Sequence, residues 1–287
     1  MLYIIVITGG FTSMKKRILI VTLLICVVCL SGCIFDKSKT NSTNTTINNT
    51  AITTTQQNTT APEQPAPAPV EEQKKTNGHV IVIDPGHQTK DSREKEPVGP
   101  GSSEMKQKDT SGATGVSTGI REYELTLQVA NKLKDELESR GYEVILTRTV
   151  NEGEISCVER AEVANNANAD AFIRIHANSI DDSSVNGAMT ICQTSSNPYN
   201  GNIYNECKRL SVDVLDEFCA ATGARRERVW ETDSMTGNNW SRVPVTLIEM
   251  GYMSNPREDE LMVSDDYQSM IVQGIANGID RFINVGK

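Results

Sequence analysis

The chain is poor in histidine, in aromatic residues and in positive charge. Its 287 residues include three histidines, 5% aromatic residues, and 28 Lys and Arg against 37 Asp and Glu, which give a net charge of -9. Because nucleic-acid binding depends on Lys and Arg neutralising phosphates, we expect no nucleic-acid partner. The low aromatic content argues against a surface on which bases or sugar rings stack. Three histidines are too few for a His-rich metal store, although two suffice for one catalytic metal ion.

The N-terminal part lacks an apolar run long enough to cross a membrane. Basic residues at 15–17 are followed by thirteen mostly apolar residues at 18–30. As a helix, thirteen residues rise about 20 Å against roughly 30 Å of hydrocarbon, so the pattern favours a secretory signal over a spanning helix. The ending Leu-Ser-Gly-Cys at 30–33 resembles the bacterial lipoprotein box. That resemblance implies cleavage before Cys33 and a lipid on Cys33; the alternative is an ordinary secretory signal with an incidental cysteine.

Apolar residues are also scarce in the next segment. From 40 to 60, 18 of 21 positions are Ser, Thr, Asn or Gln, and a Pro-rich stretch follows at 61–69. Such a composition cannot bury enough apolar surface to offset the entropy of ordering, so it predicts a polar tether. We therefore divide the chain into a signal peptide at 1–33, a disordered Thr/Asn- and Pro-rich tether at 34–77 and a folded domain at 78–287.

Strand and helix patterns alternate throughout the folded domain. Residues 80–83 form a continuous apolar, β-branched run, which is typical of a strand buried on both faces. Apolar residues recur every four positions from Leu125 to Leu137 and mark one face of a helix. Further strands are predicted at 144–146, 171–175, 187–193 and 243–248, and further helices at 157–168, 203–221 and 265–284. This alternation predicts an α/β fold, a single domain with a mostly parallel twisted sheet covered by helices on both faces.

One stretch, residues 88–120, interrupts this alternation. It is polar, contains seven glycines or prolines and has no apolar period. An irregular loop of this length is uncommon in a compact domain unless it is functional or disordered. We interpret it as a flap beside the functional site, with a disordered insertion as the alternative.

Four residues with metal-binding or acid–base side chains occupy positions that such a sheet brings to one edge. His87 follows the first strand, Glu122 begins the first helix, and His176 and Glu249 end two later strands. Ligands of open parallel sheets bind outside the carboxyl ends of the strands. Two histidines and one carboxylate form a catalytic zinc set that leaves one position open. A further carboxylate is then needed to accept and return a proton, and Glu249 is the spare acid.

Each of these residues also has a simpler explanation. A histidine at a strand end is usually a satisfied polar group, and Glu122 near a helix start could favour the helix dipole. Glu249 is harder to dismiss, because strict alternation places it in line with a buried apolar face, where an unpaired carboxylate is costly. Glu124 is the rival of Glu122 as the carboxylate ligand, since the two point about 200° apart on a helix. We assign no role to His79, which precedes the core of the first strand.

The cysteines of the folded domain do not suggest a second metal site. Their spacings of 35, 15 and 12 residues are unlike the close pairs of zinc clusters; they are Cys157, Cys192, Cys207 and Cys219. Two disulfides could form outside the membrane, but buried cysteines need no partner, and we expect these to be unpaired.

Five segments, in order, resemble the zinc-dependent N-acetylmuramoyl-L-alanine amidases of the amidase 3 family. They are VIDPGH at 82–87, EYELTL at 122–127, GYEVILTR at 141–148, IHAN at 175–178 and LIEMGYMSNP at 247–256. The resemblance implies one Zn2+ held by His87, Glu122 and His176, with Glu249 as the catalytic glutamate. It also implies hydrolysis of the amide that joins the lactyl group of N-acetylmuramic acid to L-alanine in peptidoglycan.

The chain departs from the commonest form of this family in two places. Arg174 stands where a serine often precedes the Ile-His pair, and the segment at 88–120 is long. Both departures put the substrate preference in doubt and leave the implied metal site intact.

Two alternatives remain open for the activity. A zinc peptidase that cuts within the stem peptide would use the same four residues, and a non-catalytic wall-binding lipoprotein could have the same fold. For the location, the resemblances imply an extracytoplasmic protein anchored by a lipid on Cys33 to the outer face of the bacterial cytoplasmic membrane, facing the cell wall. We expect a monomer whose partners are peptidoglycan and, through the lipid, the membrane.

Overall fold

A six-stranded sheet forms the centre of the computed structural model, which describes residues 76–284. The predicted signal peptide at 1–33, the lipid attachment at Cys33 and almost all of the predicted tether at 34–77 lie outside the described residues. Within 76–284, no helix combines the length and the apolar character that a membrane span requires.

Strands and helices alternate along the described part of the chain. The strands are β1 Val80–Pro85, β2 Lys95–Pro97, β3 Met105–Gln107, β4 Glu143–Leu146, β5 Ala171–Asn178, β6 Ala188–Cys192, β7 Arg226–Glu231 and β8 Val245–Tyr252. The helices are α1 Glu122–Ser139, α2 Cys157–Asn166, α3 Tyr204–Thr222, α4 Thr236–Asn239, α5 Pro256–Met262 and α6 Asp265–Asn284.

The large sheet is mostly parallel. Its strand order is β4-β1-β5-β8-β6-β7, and β2 and β3 form a separate antiparallel hairpin. Strands β4, β1, β5 and β8 are parallel, β6 runs antiparallel to β8, and β7 is parallel to β6. The prediction of a single α/β domain with a mostly parallel sheet and flanking helices is confirmed.

Helices α1, α3 and α6 pack into one apolar core against the sheet. The predicted apolar stripe of α1, from Leu125 to Leu137, is fully buried there. Helices α3 and α6 approach each other so closely at Gly278 that a Cβ there would lie 2.5 Å from the Cα of Val214. The polar side chains of Asp84 and Arg174 instead contact residues of α2 and α4. This division separates an apolar core from the polar surroundings of the candidate site.

The segment at 88–120 is ordered around the β2–β3 hairpin. Trp240 Nε1 donates to the carbonyl of Pro97 at 2.9 Å, and Asn239 Nδ2 donates to the carbonyl of Val98 at 2.9 Å. The side chain of Val98 is buried. The segment therefore lies against the domain, which is what a flap beside the site requires. The alternative of a disordered insertion is wrong.

The structure corrects two predictions about strands and confirms one about cysteines. Strand β5 continues to Asn178 and β8 to Tyr252, so His176 and Glu249 lie inside their strands and not at the ends. The sequence predicts no element at 226–231, where β7 forms a sheet edge that exposes Arg226, Arg228 and Trp230 at alternate positions. The four cysteines of the described residues are unpaired, as predicted.

Candidate metal centre

The four residues that the sequence singles out come together at the carboxyl-terminal edge of β1, β5 and β8. His87 follows β1, His176 and Glu249 belong to β5 and β8, and Glu122 is the first residue of α1. Strands β5 and β8 are neighbours, and their register pairs His176 with Glu249. The sheet therefore places an imidazole and a carboxyl group side by side, one strand spacing apart.

Three of these side chains direct a nitrogen or oxygen atom to one point. His87 Nε2, Glu122 Oε1 and His176 Nδ1 are each 3.2 Å from the other two. A tetrahedral zinc ion with bonds of about 2.0–2.1 Å would separate its ligand atoms by about 3.3–3.4 Å. The triangle therefore fits an ion of this size, and residues 76–284 contain no second cluster of this kind.

Hydrogen bonds outside the triangle orient His87. Its Nδ1 lies 2.9 Å from the carbonyl oxygen of Thr110 and 3.4 Å from Asp109 Oδ1. A proton on Nδ1, donated to these acceptors, leaves the Nε2 lone pair free to bind a metal. Burial alone would lower the pKa of His87, but hydrogen bonds to Asp109 and Glu122 raise it to about 10. Without a metal the surrounding carboxylates therefore favour protons on both ring nitrogens of His87, and a metal ion that binds Nε2 displaces the proton there.

Glu122 and His176 are held in the forms that bind metals. Two backbone N–H groups donate to Glu122, from Ala113 at 2.8 Å and from Ala177 at 3.1 Å. Burial would raise the pKa of Glu122, but hydrogen bonds from His176 and His87 outweigh it and keep the pKa well below its ordinary value. Burial lowers the pKa of His176. An ionised carboxylate and a neutral imidazole are the forms with lone pairs available to a metal.

Two glycines make room for these side chains. A Cβ on Gly86 would lie 2.4 Å from Cε1 of His176, and a Cβ on Gly112 would lie 2.6 Å from Oε2 of Glu122. Gly112 also has a φ of +71°, in the left-handed region that favours glycine. The closeness of the cluster therefore depends on the absence of side chains at both positions.

Glu124 and His79 lie outside the cluster. Glu124 Oε2 accepts a hydrogen bond from the Arg121 N–H at 3.2 Å, at the start of α1. His79 Nδ1 lies 3.0 Å from Asp170 Oδ1. Of the two candidate carboxylates near the start of α1, the structure brings Glu122 to the histidines.

A cavity of about 270 Å³ adjoins the cluster, and Glu249 lines it together with His87, His176 and Lys106. Glu249 is partly exposed, yet its Oε2 is buried and has no hydrogen-bond partner among the described residues. Burial and the nearby charge of Glu122 raise the pKa of Glu249 to about 8. A carboxyl group whose pKa lies near neutrality can both accept and release a proton.

A buried network of two carboxylates and two guanidinium groups adjoins the site, and sequence reasoning missed its role. Arg160 of α2 donates to Asp84 at 2.7 Å and to Asp109 at 2.8 Å, and Arg174 Nε donates to Asp84 at 3.0 Å. Burial alone would raise the pKa of Asp84, but the positive charges of the two arginines hold that pKa well below its ordinary value. Arg160 lies on the buried side of α2, four residues before Ala164. A charged residue on the apolar face of a helix is the sequence feature that could have indicated this network.

Arg148, also missed, ties together the segments that carry His87 and Glu122. Its buried guanidinium donates to backbone carbonyls at 2.7 to 3.1 Å, those of Pro85, Gly86, Tyr123 and Val150. It forms no ion pair with any residue that the structure describes. Arg148 therefore bridges the turn before His87 and the first turn of α1 through neutral acceptors alone.

Comparison with known proteins places these residues in a family context. A profile described as N-acetylmuramoyl-L-alanine amidase matches residues 81–281. LytC, an N-acetylmuramoyl-L-alanine amidase of Bacillus subtilis (strain 168), is 29% identical over 201 residues, 70% of this chain and 35% of LytC. LytH, a probable cell wall amidase of Staphylococcus aureus, is 28% identical over 214 residues, 74% of this chain and 61% of LytH. The chain thus spans less than two thirds of the length of each of these two relatives.

Among solved structures, the catalytic domain of CwlV has the same fold. CwlV is an N-acetylmuramoyl-L-alanine amidase from Bacillus (Paenibacillus) polymyxa var. colistinus and is 30% identical to this chain. The superposition has a TM-score of 0.58 and covers 72% of this chain and 99% of that one.

Proposed function

This chain belongs to the amidase 3 family of N-acetylmuramoyl-L-alanine amidases, and on that basis we propose that it hydrolyses the amide between the lactyl group of N-acetylmuramic acid and L-alanine in peptidoglycan, with one Zn2+ as cofactor. The observation that carries the proposal is the 3.2 Å triangle of His87 Nε2, Glu122 Oε1 and His176 Nδ1 beside the cavity that contains Glu249.

The residues present suit a catalytic zinc ion. His87, Glu122 and His176 would hold it, because two imidazole nitrogens and one carboxylate oxygen are a common zinc set with one open position. When bound, zinc polarises a carbonyl group and lowers the pKa of water to about 7. The N–H groups of Ala113 and Ala177 fix the carboxylate of Glu122, and the acceptors at Nδ1 fix the ring of His87. These contacts orient the donors before any ion binds.

Glu249 is proposed as the acid–base residue. Its register with His176 puts it beside the metal position, in the cavity that would receive the scissile amide. Its ionised form would take a proton from the attacking water, and its protonated form would then donate that proton to the departing alanine nitrogen. A pKa raised to about 8 suits a group that performs both transfers near neutral pH.

Product analysis tests the reaction. Protein without its signal peptide is loaded with zinc and incubated with defined muropeptides, and the products are identified by mass spectrometry. The expected products are a free lactyl carboxyl on N-acetylmuramic acid and a free amino group on L-alanine. Cleavage elsewhere in the stem peptide would identify a peptidase, and binding without turnover would identify a non-catalytic wall-binding protein.

Matched variants test the residue roles. Glu249→Gln should retain zinc and lower kcat by about 100-fold or more, whereas Glu124→Gln should stay near the wild-type rate. His176→Ala should lose stoichiometric zinc, whereas His79→Ala should keep it. A Glu249→Gln protein that cleaves at the wild-type rate, or a His176→Ala protein with full zinc content, would contradict the assignment.

For the location, we propose an extracytoplasmic protein anchored through a lipid on Cys33 to the outer face of the bacterial cytoplasmic membrane. The support is the Leu-Ser-Gly-Cys ending at 30–33 and the name of LytH, a probable cell wall amidase. Cells expressing the protein are labelled with a radioactive fatty acid. The label should disappear in Cys33→Ala and remain in Cys26→Ala; label in both variants would reject the assignment.

A further inference from the structure

The cavity beside Glu249 contains a lysine that pairs with no carboxylate of the described part of the chain. Lys106 lies on β3 of the inserted hairpin, and its Nζ donates to the carbonyl oxygen of Ser234 at 2.6 Å. Lys106 and Glu249 line the same cavity, yet Lys106 forms no ion pair with Glu249 or with any other residue in 76–284. Of the three protons on Nζ, one is used by Ser234, so two are available to another acceptor.

The neighbouring carboxylates are already engaged by other groups. Glu96 lies opposite Lys106 in the β2–β3 hairpin, but its carboxylate accepts from the Val158 N–H at 3.3 and 3.4 Å. Asp109, which also lines the cavity, accepts from Arg160 at 2.8 Å. Lys106 therefore lines the cavity with no carboxylate partner among the described residues.

A second cation lies in the cavity wall on the sheet side. Arg174 of β5 lines the same cavity, and its register partner in β8 is Leu247, two residues before Glu249. Its guanidinium lies against Gly237, where a Cβ would be 2.6 Å from Cζ. Its Nε is bound to Asp84, so Arg174 is neutralised by a residue outside the cavity lining. Arg160, which also lines the cavity, is paired with Asp84 and Asp109, so of these three cations Lys106 is the one without a carboxylate partner among the described residues.

We propose that Lys106 is a specificity-determining residue that binds an ionised carboxyl group on the second residue of the stem peptide. The inference rests on the proposed function, which places the scissile amide nitrogen of L-alanine beside Glu249. The second residue begins one Cα step, about 3.8 Å, further along the peptide. It carries either a free α-carboxyl group, as D-isoglutamate, or a carboxamide, as D-isoglutamine. A lysine without an internal partner forms a charge-assisted hydrogen bond with the carboxylate and gains less from the neutral amide.

Two synthetic substrates separate these forms. N-acetylmuramoyl-L-alanyl-D-isoglutamate and its D-isoglutamine counterpart differ only at this group. The zinc-loaded wild-type protein should have a kcat/KM about tenfold higher for the carboxylate form, a ratio typical of one hydrogen bond to a charged group. Lys106→Met should abolish this preference by lowering kcat/KM for the carboxylate substrate, and Lys106→Arg should retain it. Lys95→Met removes a positive charge from the same hairpin, at an exposed position outside this cavity, and should leave the ratio unchanged.

The ratio between the substrates distinguishes recognition from a structural role. If Lys106 only pins the hairpin to Ser234, Lys106→Met lowers kcat/KM equally for both substrates, and the inference is overturned. It is also overturned if the wild-type protein does not discriminate. Binding is measured in parallel by calorimetry, with Glu249→Gln and with Glu249→Gln carrying Lys106→Met. If the wild-type protein cleaves neither substrate, the proposed function fails, while the ratio of the two dissociation constants still decides whether Lys106 recognises the carboxylate.

Discussion

Replacing Arg148 with methionine should destabilise the domain more than replacing Arg140, although within residues 76–284 Arg140 forms ion pairs and Arg148 forms none. Arg140 is bonded to Glu136 and Asp280 near the surface, with 18% of its side chain exposed. Partly exposed pairs of this kind contribute about 0–1 kcal/mol. Arg148 is buried and donates to backbone carbonyls, among them those of Pro85 and Tyr123.

The loss of unfolding free energy expected for Arg148→Met depends on which backbone carbonyls lose their hydrogen-bond donor. The Pro85 carbonyl also accepts from Arg160 at 2.8 Å, and the Gly86 carbonyl also accepts from the Thr126 hydroxyl at 2.8 Å. The Tyr123 carbonyl keeps a 3.4 Å contact from the Thr126 hydroxyl but loses its charged donor, as the Val150 carbonyl does, at about 1.5–3 kcal/mol each. Removal of a buried charge offsets part of this loss, because that charge no longer has to be desolvated. We expect Arg148→Met to lower the free energy of unfolding by about 3 kcal/mol.

Urea unfolding of the metal-free protein measures both effects, with the midpoint and the m-value fitted separately. Arg140→Met should shift the midpoint slightly at constant m, and Arg148→Met should shift it several times further. Zinc titration of folded Arg148→Met should also show weaker binding, because the segments that carry His87 and Glu122 are no longer tied together. A cost at Arg148 below about 1 kcal/mol, or a larger cost at Arg140, would refute the reasoning, since it rests on buried neutral acceptors outweighing exposed ion pairs.

Two further predictions concern the glycine beside the metal position and the buried carboxylate. Gly112→Ala should weaken zinc binding about tenfold or more, because its Cβ would lie 2.6 Å from Glu122 Oε2, whereas Gly101→Ala, also at positive φ but with open space around it, should leave zinc affinity unchanged. Equal zinc affinity in the two alanine variants would contradict this. Asp84→Asn should lower the free energy of unfolding at pH 7 by about 3–5 kcal/mol, because it leaves Arg174 buried without a counter-charge. Since the folded pKa of Asp84 is depressed, this stabilisation is complete above about pH 5 and is lost progressively as the pH falls through the ordinary pKa of an aspartate toward the depressed folded one. The difference in the free energy of unfolding between wild type and variant should therefore shrink steadily below about pH 5; a difference that stays constant down to about pH 2 would contradict the assignment.

How much of the fold the sequence predicts depends on how each element is buried. Strand β1 is buried on both faces and has a continuous apolar run, and α1 has a four-residue apolar period, so both are predicted close to their observed positions. Strand β7 has neither pattern, because it lies at the sheet edge and exposes two arginines and a tryptophan at alternate positions. The strands of the β2–β3 hairpin are three residues long, too short for a period, and are held by Trp240 and Asn239, which are distant in sequence.

The candidate site is likewise only partly predictable from the sequence. His87, Glu122 and His176 can be selected from sequence because each stands next to a recognisable strand or helix. The register that pairs His176 with Glu249 cannot be, since it depends on which strands become neighbours. The Asp84–Arg160 contact also depends on how α2 packs against the sheet, so spacing along the chain does not reveal it. The zinc ion, and the roles of the four residues in binding and catalysis, remain predictions that the experiments above test.

The pairing of β5 with β8 has a consequence for how this protein can diversify. The separation of His176 from Glu249 is set by the hydrogen-bond spacing between two central strands, about 4.8 Å, and not by any loop. The hairpin that carries Lys106 enters the chain between β1 and α1 and contributes no strand to that sheet. Mutation, or exchange of the whole hairpin, can therefore alter the cavity wall that carries Lys106 while the spacing of His176 and Glu249 is inherited unchanged.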